Sequence, residues 1–297
     1  PSNPKSETAP SYGMLMILLL CAGISAACFH VPAPVVVNRF AGNQVGKGMS
    51  FYMTGGELAR GVGPIAAVGA VSLFGFEGFY PVMILGVAAS LWMYLRVRHL
   101  PVNKSAGKTI SLVQTWRETR HILIPLTVIL IARGFMQASM STFLPTFINQ
   151  ETGNLWQAGL GLTLFEATGV TGILIMGSLS DRFGRRLTLL ISFVGAPLSL
   201  FMFAATGGWI RFAALLTAGF TLLSTMPIML AVVQEHAPSS PSAANGMFVM
   251  VSFVARSAIV VLVGMIADFT GLRTTYFIGA VIGLIAIPVI LILPEKK

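Results

Sequence analysis

The segment GSLSDRFGRR, residues 177–186, places four charged side chains between two strongly apolar stretches. Asp181 can accept hydrogen bonds from backbone N–H groups at the start of a neighbouring helix, where the helix dipole favours negative charge. The arginines can pair with carboxylates or lipid phosphates; they are Arg182, Arg185 and Arg186. Gly177 and Gly184 permit a tight turn with close backbone approach. The segment predicts an ionic latch that forms and breaks; the alternative is that the arginines only fix orientation in a membrane.

A second set of polar side chains lies inside long apolar stretches: Glu57, Arg60, Arg133, Gln137, Glu166 and Arg256. A charge there is costly unless it is paired or faces water, so each one is informative. Glu57 and Arg60 are three residues apart, which puts them on one helix face and lets them pair. Glu57 and Glu166 are candidate proton carriers, because substrate or conformational change can alter the surroundings of a carboxylate. The alternatives are a static Glu57–Arg60 pair and a Glu166 that neutralises an arginine. An arginine without a carboxylate could instead bind an anionic substrate.

Histidine and cysteine are few, and their spacing indicates no metal site or cofactor. His30 and His236 are each followed by proline within two residues, so we expect both at helix ends, with His30 also a candidate for the substrate cavity. Cys21 and Cys28 are seven residues apart, which predicts free thiols on one helix face.

The sequence contains no HExxH, no GxSxG and no paired aspartates inside apolar stretches, so nothing in it indicates an intramembrane enzyme.

Composition then indicates the elements that must position these residues. The chain is 55% hydrophobic and 10% charged, with a mean hydropathy of +0.82, which is typical of a membrane protein. A spanning helix needs roughly 20 apolar residues. On that criterion the sequence predicts nine spans, at about 13–37, 47–74, 79–97, 121–148, 155–179, 187–206, 209–233, 245–267 and 274–293. The net charge of +9 lies mostly between these stretches, so it indicates membrane orientation and not nucleic-acid binding.

The loop charges predict the orientation, since short cytoplasmic loops collect Lys and Arg. One side receives thirteen of them, including six from the basic stretch between residues 96 and 120, and the other side receives Lys5, Arg211 and Arg273. This predicts a multi-pass protein of the cell membrane with a cytoplasmic C-terminus. The basic stretch divides the chain into three parts: three spans at 1–97, a cytoplasmic linker at 98–120 and six spans at 121–297. A weak internal repeat at a shift of six helices marks 1–97 as the remainder of a first six-helix bundle and 121–297 as a complete second bundle. Because the first residue falls outside and is not Met, we expect earlier residues to be missing.

GSLSDRFGRR resembles the signature G-x-L-x-D-R-x-G-R-R/K of the major facilitator superfamily, between the second and third helices of each six-helix half. ACFHVPAPVVVNRFAG, GGELARGVGP, VVQEHAP, GMIADFTG and ILILPEKK resemble its fosmidomycin-resistance-like branch. The resemblance implies an all-α fold of twelve helices in two halves, of which the nine spans would be helices four to twelve. It places the charge-free third, sixth and ninth spans at the lipid-facing periphery and the charged spans around a cavity.

The same resemblance implies a secondary transporter of a small solute that works by alternating access, in proton-coupled efflux of a drug or metabolite. Two alternatives stay open: a solute/proton symporter that takes up an organic anion or a sugar, and a truncated remnant without transport. GGELARGVGP resembles the Gly-Pro motif of the superfamily's antiporters, but IAAVGA replaces the usual trailing Gly-Gly. The expected partners are a small-molecule substrate, protons and the lipid bilayer, for a protein that acts as a monomer.

Overall fold

The computed structural model describes residues 12–78, 82–99, 112–237 and 239–294, and all regular structure within them is helical. One five-residue π-helical turn, Ala138–Thr142, lies between α5 and α6. The α-helices are α1 (Tyr12–His30), α2 (Ala33–Ala41), α3 (Val45–Gly78), α4 (Val82–Val97), α5 (Leu112–Gln137), α6 (Phe143–Thr152), α7 (Leu155–Phe183), α8 (Arg185–Ala205), α9 (Gly208–Leu223), α10 (Thr225–His236), α11 (Pro241–Thr270), α12 (Leu272–Leu284) and α13 (Ala286–Leu291). The predicted all-α class is therefore confirmed for the described residues.

Proline and glycine determine where several helices end. Pro32 and Pro34 separate α1 from α2, because a proline nitrogen cannot donate the hydrogen bond that a continuous helix needs. Gly184 separates α7 from α8 with φ at 92°, and Gly271 separates α11 from α12 with φ at 81°. Backbone of positive φ is accessible to glycine without steric strain. The predicted spans therefore begin and end mostly where turn residues interrupt the apolar stretches.

The chain divides into two compact units, and the larger unit holds residues 28–58 and 112–297. Its interior is built from long apolar side chains with at most 1% exposure, such as Leu126, Phe165, Phe193 and Leu222. Small residues let the helices approach: a Cβ at Gly172 on α7 would overlap the carbonyl oxygen of Phe220 on α9. Such close backbone packing is typical of helices in membranes, where burial of apolar surface cannot drive association.

The smaller unit holds residues 1–27 and 59–111. Its described helices are most of α1, the second part of α3, and α4, and α3 contains a non-helical residue at Gly75. No residue of α1 is buried, and large apolar side chains of α4 such as Leu85 and Trp92 are exposed. These helices thus present apolar surfaces of the kind that lipid or other membrane helices contact.

Seven of the described helical stretches are long and apolar enough to cross a membrane, fewer than the nine that the sequence predicts. They are Tyr12–Ala41, Val113–Thr152, Trp156–Phe183, Arg185–Ala205, Gly208–His236, Pro241–Thr270 and Leu272–Leu291. In place of the predicted span 79–97 the structure has α4, whose sixteen residues extend about 24 Å, less than the roughly 30 Å of a hydrocarbon core. The predicted span 47–74 lies within α3, which is not among the seven.

Two boundaries differ from the sequence prediction. GSLSDRFGRR is not a loop: Gly177 to Phe183 form the last turns of α7, and Gly184 alone separates them from α8. The reason is that only Gly184 needs a backbone conformation outside the helical region. In the second case α5 begins at Leu112, inside the predicted linker 98–120, and residues 100–111 lie outside the described part. Polar residues such as those at 114–120 are compatible with a helix that extends beyond the apolar core of a membrane.

The sixth predicted span, α8, has the exposure pattern of a helix at a lipid boundary. Its exposed apolar side chains recur every three or four residues, at Leu187, Ile191, Val194, Leu198 and Phe201. Its opposite face is buried, with Leu189, Phe193 and Leu200 fully enclosed. An apolar outer stripe without charge is what contact with lipid tails requires. This exposure pattern agrees with the lipid-facing position that the family resemblance implies for this span.

Candidate functional site

The Asp181 carboxylate lies in the last turn of α7 and binds the start of α3. Its Oδ1 accepts a hydrogen bond from the backbone N–H of Gly46, and its Oδ2 accepts one from that of Lys47, each at 2.8 Å. The first N–H groups of a helix have no partner within the helix, and the dipole there favours an anion. The contact between Asp181 and a neighbouring helix start, predicted from the sequence, is present.

Arg185, the first residue of α8, connects Asp181 to α10. One of its terminal nitrogens lies 2.7 Å from Asp181 Oδ1 and 2.8 Å from Glu235 Oε1, and its Nε donates to Glu235 Oε2 at 3.3 Å. Its other terminal nitrogen donates to Ser180 Oγ. Ten per cent or less of each of the three charged side chains is exposed. We call Ser180, Asp181, Arg185, Glu235 and the amides of Gly46 and Lys47 the Asp181 cluster; it joins four helices.

Two glycines allow α3 and α7 to cross closely beside this cluster. A Cβ at Gly177 would overlap Ser50 Oγ, and a Cβ at Gly46 would lie 2.6 Å from the Gly177 carbonyl oxygen. Neither position can accept a side chain at this separation. Gly177 therefore acts as a packing residue inside a helix and not, as predicted, as a turn residue. Gly184 is the turn residue.

The other two arginines of the segment behave differently from Arg185. Arg182 is exposed and lies over the ring of Phe183, with 5.3 Å from its guanidinium carbon to the ring centroid. Arg186 is half-buried. The predicted latch contains three arginines, and the structure shows Arg185 in contact with the carboxylates of Asp181 and Glu235. Sequence reasoning missed Glu235, although it stands next to His236 in VVQEHAP, one of the segments that carry the family resemblance.

Two further sets of hydrogen-bonded polar side chains lie in the larger unit, and we refer to them together as the α5 site: Arg133 with Gln137 and Thr225, and Ser141 with Glu166. Arg133 is only 8% exposed. Its Nε donates to Thr225 Oγ1 at 2.7 Å, and one of its terminal nitrogens donates to Gln137 Oε1. Gln137 was predicted as a site residue, whereas Thr225 was not. The hydrogen bonds hold the guanidinium group in the interior of this unit, and its predicted role at a substrate cavity stays a prediction.

The π-helical turn Ala138–Thr142 brings α5 to Glu166. The hydroxyl of Ser141 in this turn donates to Glu166 Oε1 on α7 at 3.3 Å. The Tyr276 hydroxyl, 1% exposed on α12, donates to the Ser139 carbonyl oxygen at 3.1 Å. A π-helical turn shifts the i→i−4 hydrogen-bond pattern, so its carbonyl groups need other donors, and such turns are frequent at functional sites. Sequence reasoning did not detect this turn, because a one-residue shift changes which side chains share a helix face without interrupting the apolar stretch.

Four further predicted residues are His30, Glu57, Arg60 and Arg256. His30 ends α1, and its Nδ1 lies 2.9 Å from the Tyr52 hydroxyl on α3. Glu57 is 2% exposed on α3, whereas Arg60 and Arg256 are exposed. Their proposed roles stay predictions. Among the described residues no group of three His, Cys, Asp or Glu side chains could hold a metal ion.

A third group, which we call the Glu151 cluster, lies at the other end of α7. Glu151 at the end of α6 accepts hydrogen bonds from Arg211 on α9 and Arg273 on α12. Arg211 also donates to the Thr206 carbonyl oxygen at 2.7 Å and lies over the Phe147 ring. Helix α7 runs from this cluster to Asp181, and its twenty-nine residues extend about 43 Å, close to the thickness of a bilayer with its headgroups. We therefore expect the two ionic groups near opposite membrane surfaces.

Known proteins share both the sequence pattern and the fold. The model of the Major Facilitator Superfamily matches residues 6–257 and, in a second match, residues 126–297. The fosmidomycin resistance protein of Escherichia coli (strain K12) is 25% identical over 298 residues, which cover 97% of this chain and 72% of that protein. The uncharacterized MFS-type transporter YfnC of Bacillus subtilis (strain 168) is 25% identical over 300 residues, 97% of this chain and 73% of that protein.

A solved structure shows the same arrangement of helices. The crystal structure of the transporter FucP in the outward conformation superposes with a TM-score of 0.81 and covers 96% of this chain and 77% of that chain. At 14% sequence identity the likeness concerns the fold alone.

Proposed function

The chain belongs to the Major Facilitator Superfamily and is a membrane transporter, and we propose that it exports a small solute by alternating access in exchange for protons. The proposal includes the cell membrane as its location and a cytoplasmic C-terminus. It also includes the fosmidomycin-resistance-like branch, for which the 25% identity to the Escherichia coli protein is the support. The assignment of the helices to positions four to twelve of a twelve-helix fold stays a prediction.

The Asp181 cluster is the observation that carries the proposal. Asp181 and Arg185 join the starts of α3 and α8 to the ends of α7 and α10 through charge-assisted hydrogen bonds. Such bonds are strong when they are shielded from water and are weakened when water enters. The cluster therefore stabilises one conformation of this end of the protein, and its dissociation permits the other. A two-state contact of this kind is what alternating access requires.

Glu166 is the proposed proton carrier, with Glu57 as the next candidate. Glu166 is half-buried on α7 and accepts a hydrogen bond from Ser141 in the π-helical turn. Arg133, with Gln137 and Thr225, provides a buried cation within the same unit. In the proposal Glu166 binds and releases the proton while Arg133 stays charged and attracts the solute. Protonation of a carboxylate changes the electrostatic surroundings of a cation within the same unit, which couples the two events. A static counter-ion role for Glu166 is the alternative.

The test uses purified protein in lipid vesicles that contain a pH-sensitive dye, with fosmidomycin as the probe. In antiport, fosmidomycin that enters drives protons out, so the vesicle interior becomes more alkaline. In symport, the interior becomes more acidic. We expect alkalinisation, and acidification would assign the protein to the symporter alternative. No proton movement, together with no uptake of labelled fosmidomycin, would reject fosmidomycin as the substrate.

The coupling role is tested in the same vesicles with Glu166→Gln. Glutamine keeps the size and hydrogen bonding of the side chain but cannot ionise. We expect the dye signal to disappear while downhill exchange of labelled fosmidomycin continues. Glu57→Gln is the matched variant, and it should keep the dye signal. If Glu166→Gln keeps the signal and Glu57→Gln loses it, Glu57 carries the proton.

A further inference from the structure

The junction between α1 and α2 leaves a backbone carbonyl in need of an external donor. In a continuous helix the N–H of residue 34 would donate to the carbonyl oxygen of His30, but residue 34 is proline. Helix α1 ends at His30, and α2 begins at Ala33. Backbone groups within a membrane need hydrogen-bond partners from the protein or from water that enters a cavity.

Asn245, on α11, supplies this donor. Its Nδ2 donates to the carbonyl oxygen of His30 at 3.1 Å and to that of Val31 at 2.8 Å. The side chain of Asn245 is fully buried, and its Oδ1 has no hydrogen-bond partner among the described residues. Next to it, a Cβ at Gly246 would lie 3.6 Å from a methyl group of Val31, so α11 packs directly on the junction.

Packing alone does not explain a buried amide side chain at position 245. A buried amide with one unsatisfied oxygen is less favourable than an apolar side chain of the same size, unless its donor is needed. The donor here satisfies the His30 carbonyl oxygen, which Pro34 leaves without a helical donor, and the neighbouring Val31 carbonyl oxygen. In water, both carbonyl oxygens and the amide would be hydrated at little net cost. The contact therefore holds while the junction is dry and separates readily when water enters.

We propose that Asn245 is a gating residue, whose amide closes the α1–α2 junction against α11 in one transport conformation and releases it in the other. The proposal rests on the alternating access proposed above. This uncharged contact would act in addition to the Asp181 cluster. It involves α1, α2 and α11, none of which takes part in that cluster. The polar ring of His30 packs at the same place, 6.1 Å from the ring of Phe253 between centroids, and would be exposed together with the junction.

The test measures how fast a maleimide modifies a single cysteine at position 31 in the protein in vesicles. The background is Cys21→Ser and Cys28→Ser with Val31→Cys, which changes the size of the side chain little. Asn245→Leu keeps the volume of the side chain and removes the donor, so we expect modification at least fivefold faster. The matched control is Ser252→Ala, which removes a hydrogen bond within α11 to the Phe248 carbonyl oxygen, and it should leave the rate unchanged. An unchanged rate in Asn245→Leu would overturn the proposal.

A second variant tests the role of the proline independently of any folding defect in Asn245→Leu. Pro34→Ala restores an N–H that can donate to the His30 carbonyl oxygen in both conformations. The hydrogen bond from Asn245 then stabilises the closed junction less, relative to the open one. We expect faster modification in Pro34→Ala than in the parent, and a smaller further effect when Asn245→Leu is added. Fully independent effects, or no effect of Pro34→Ala, would contradict the proposal. The labelling needs no substrate, so it can succeed even where the fosmidomycin experiment fails.

Discussion

At the scale of the residue, the proposed function makes Asp181 a side chain whose contacts hold in one conformation and break in the other. Asparagine at this position keeps a carbonyl oxygen for one amide of α3 but loses the charge that faces Arg185. A hydrogen bond to a charged group contributes about 1.5–3 kcal/mol, and ~1.4 kcal/mol is a tenfold change in an equilibrium. We expect Asp181→Asn to lower transport about tenfold or more with little change in membrane abundance.

The measurement is fosmidomycin flux in vesicles, normalised to the amount of inserted protein. Asp268→Asn is the matched control, because Asp268 is an exposed aspartate on α11. It should transport as the parent does. Undiminished flux in Asp181→Asn would exclude a gating role for the cluster, and a parallel loss of inserted protein would indicate a folding role.

Tyr276 donates a hydrogen bond to the π-helical turn. Its hydroxyl bonds the Ser139 carbonyl oxygen, and its ring packs against Phe147 and Phe203 with centroids 5.1 and 5.2 Å away. Tyr276→Phe keeps this aromatic packing and leaves a buried carbonyl without its donor, which costs about 1–3 kcal/mol. We expect a lower melting temperature in detergent, whereas Tyr94→Phe, at an exposed position on α4, should melt as the parent does. Equal melting of the two variants would contradict this role.

At the scale of elements, two glycines of α7 pack against different helices, and we expect one of these contacts to be fixed and the other to open during transport. Gly172 packs against the backbone of α9, and Gly177 packs against Ser50 on α3, whereas a Cβ at Gly159 would meet nothing within 4 Å. Contacts between α7 and α9 belong to the six-helix bundle that the sequence predicted. Contacts between α7 and α3 join that predicted bundle to the part before it.

Alanine at each of the three positions tests this difference. We expect Gly172→Ala to lower the melting temperature clearly, because backbone atoms of two packed helices must separate. Gly159→Ala should be neutral or stabilising by up to about 1 kcal/mol, the difference in helix propensity. Gly177→Ala should keep most of the stability and expose Ser50, which maleimide labelling of Ser50→Cys would detect. Equal losses of stability at 172 and 177 would show that α3 is a fixed part of the packing.

At the scale of the whole molecule, loop charge predicts which membrane surface each ionic cluster faces. Thirteen loop cations fall on one side and three on the other, and the three include Arg211 and Arg273 of the Glu151 cluster. We expect an impermeant maleimide applied to whole cells to label a cysteine at position 152 and not one at position 104. Permeabilised cells, in which both positions should react, are the control. The reverse pattern would contradict the proposed orientation.

The sequence by itself determined the helical membrane class, most helix positions and the binding of Asp181 to a helix start. These follow from local rules: a backbone within lipid must bond internally, glycine and proline interrupt it, and an anion stabilises the N-terminus of a helix. The tertiary structure decided the partners. Glu235 is 50 residues from Arg185, Tyr276 is 137 from Ser139, and Asn245 is 215 from His30. Which distant side chains meet depends on helix packing and on a one-residue π-helical shift. An apolar pattern that repeats every three or four residues gives no information about either.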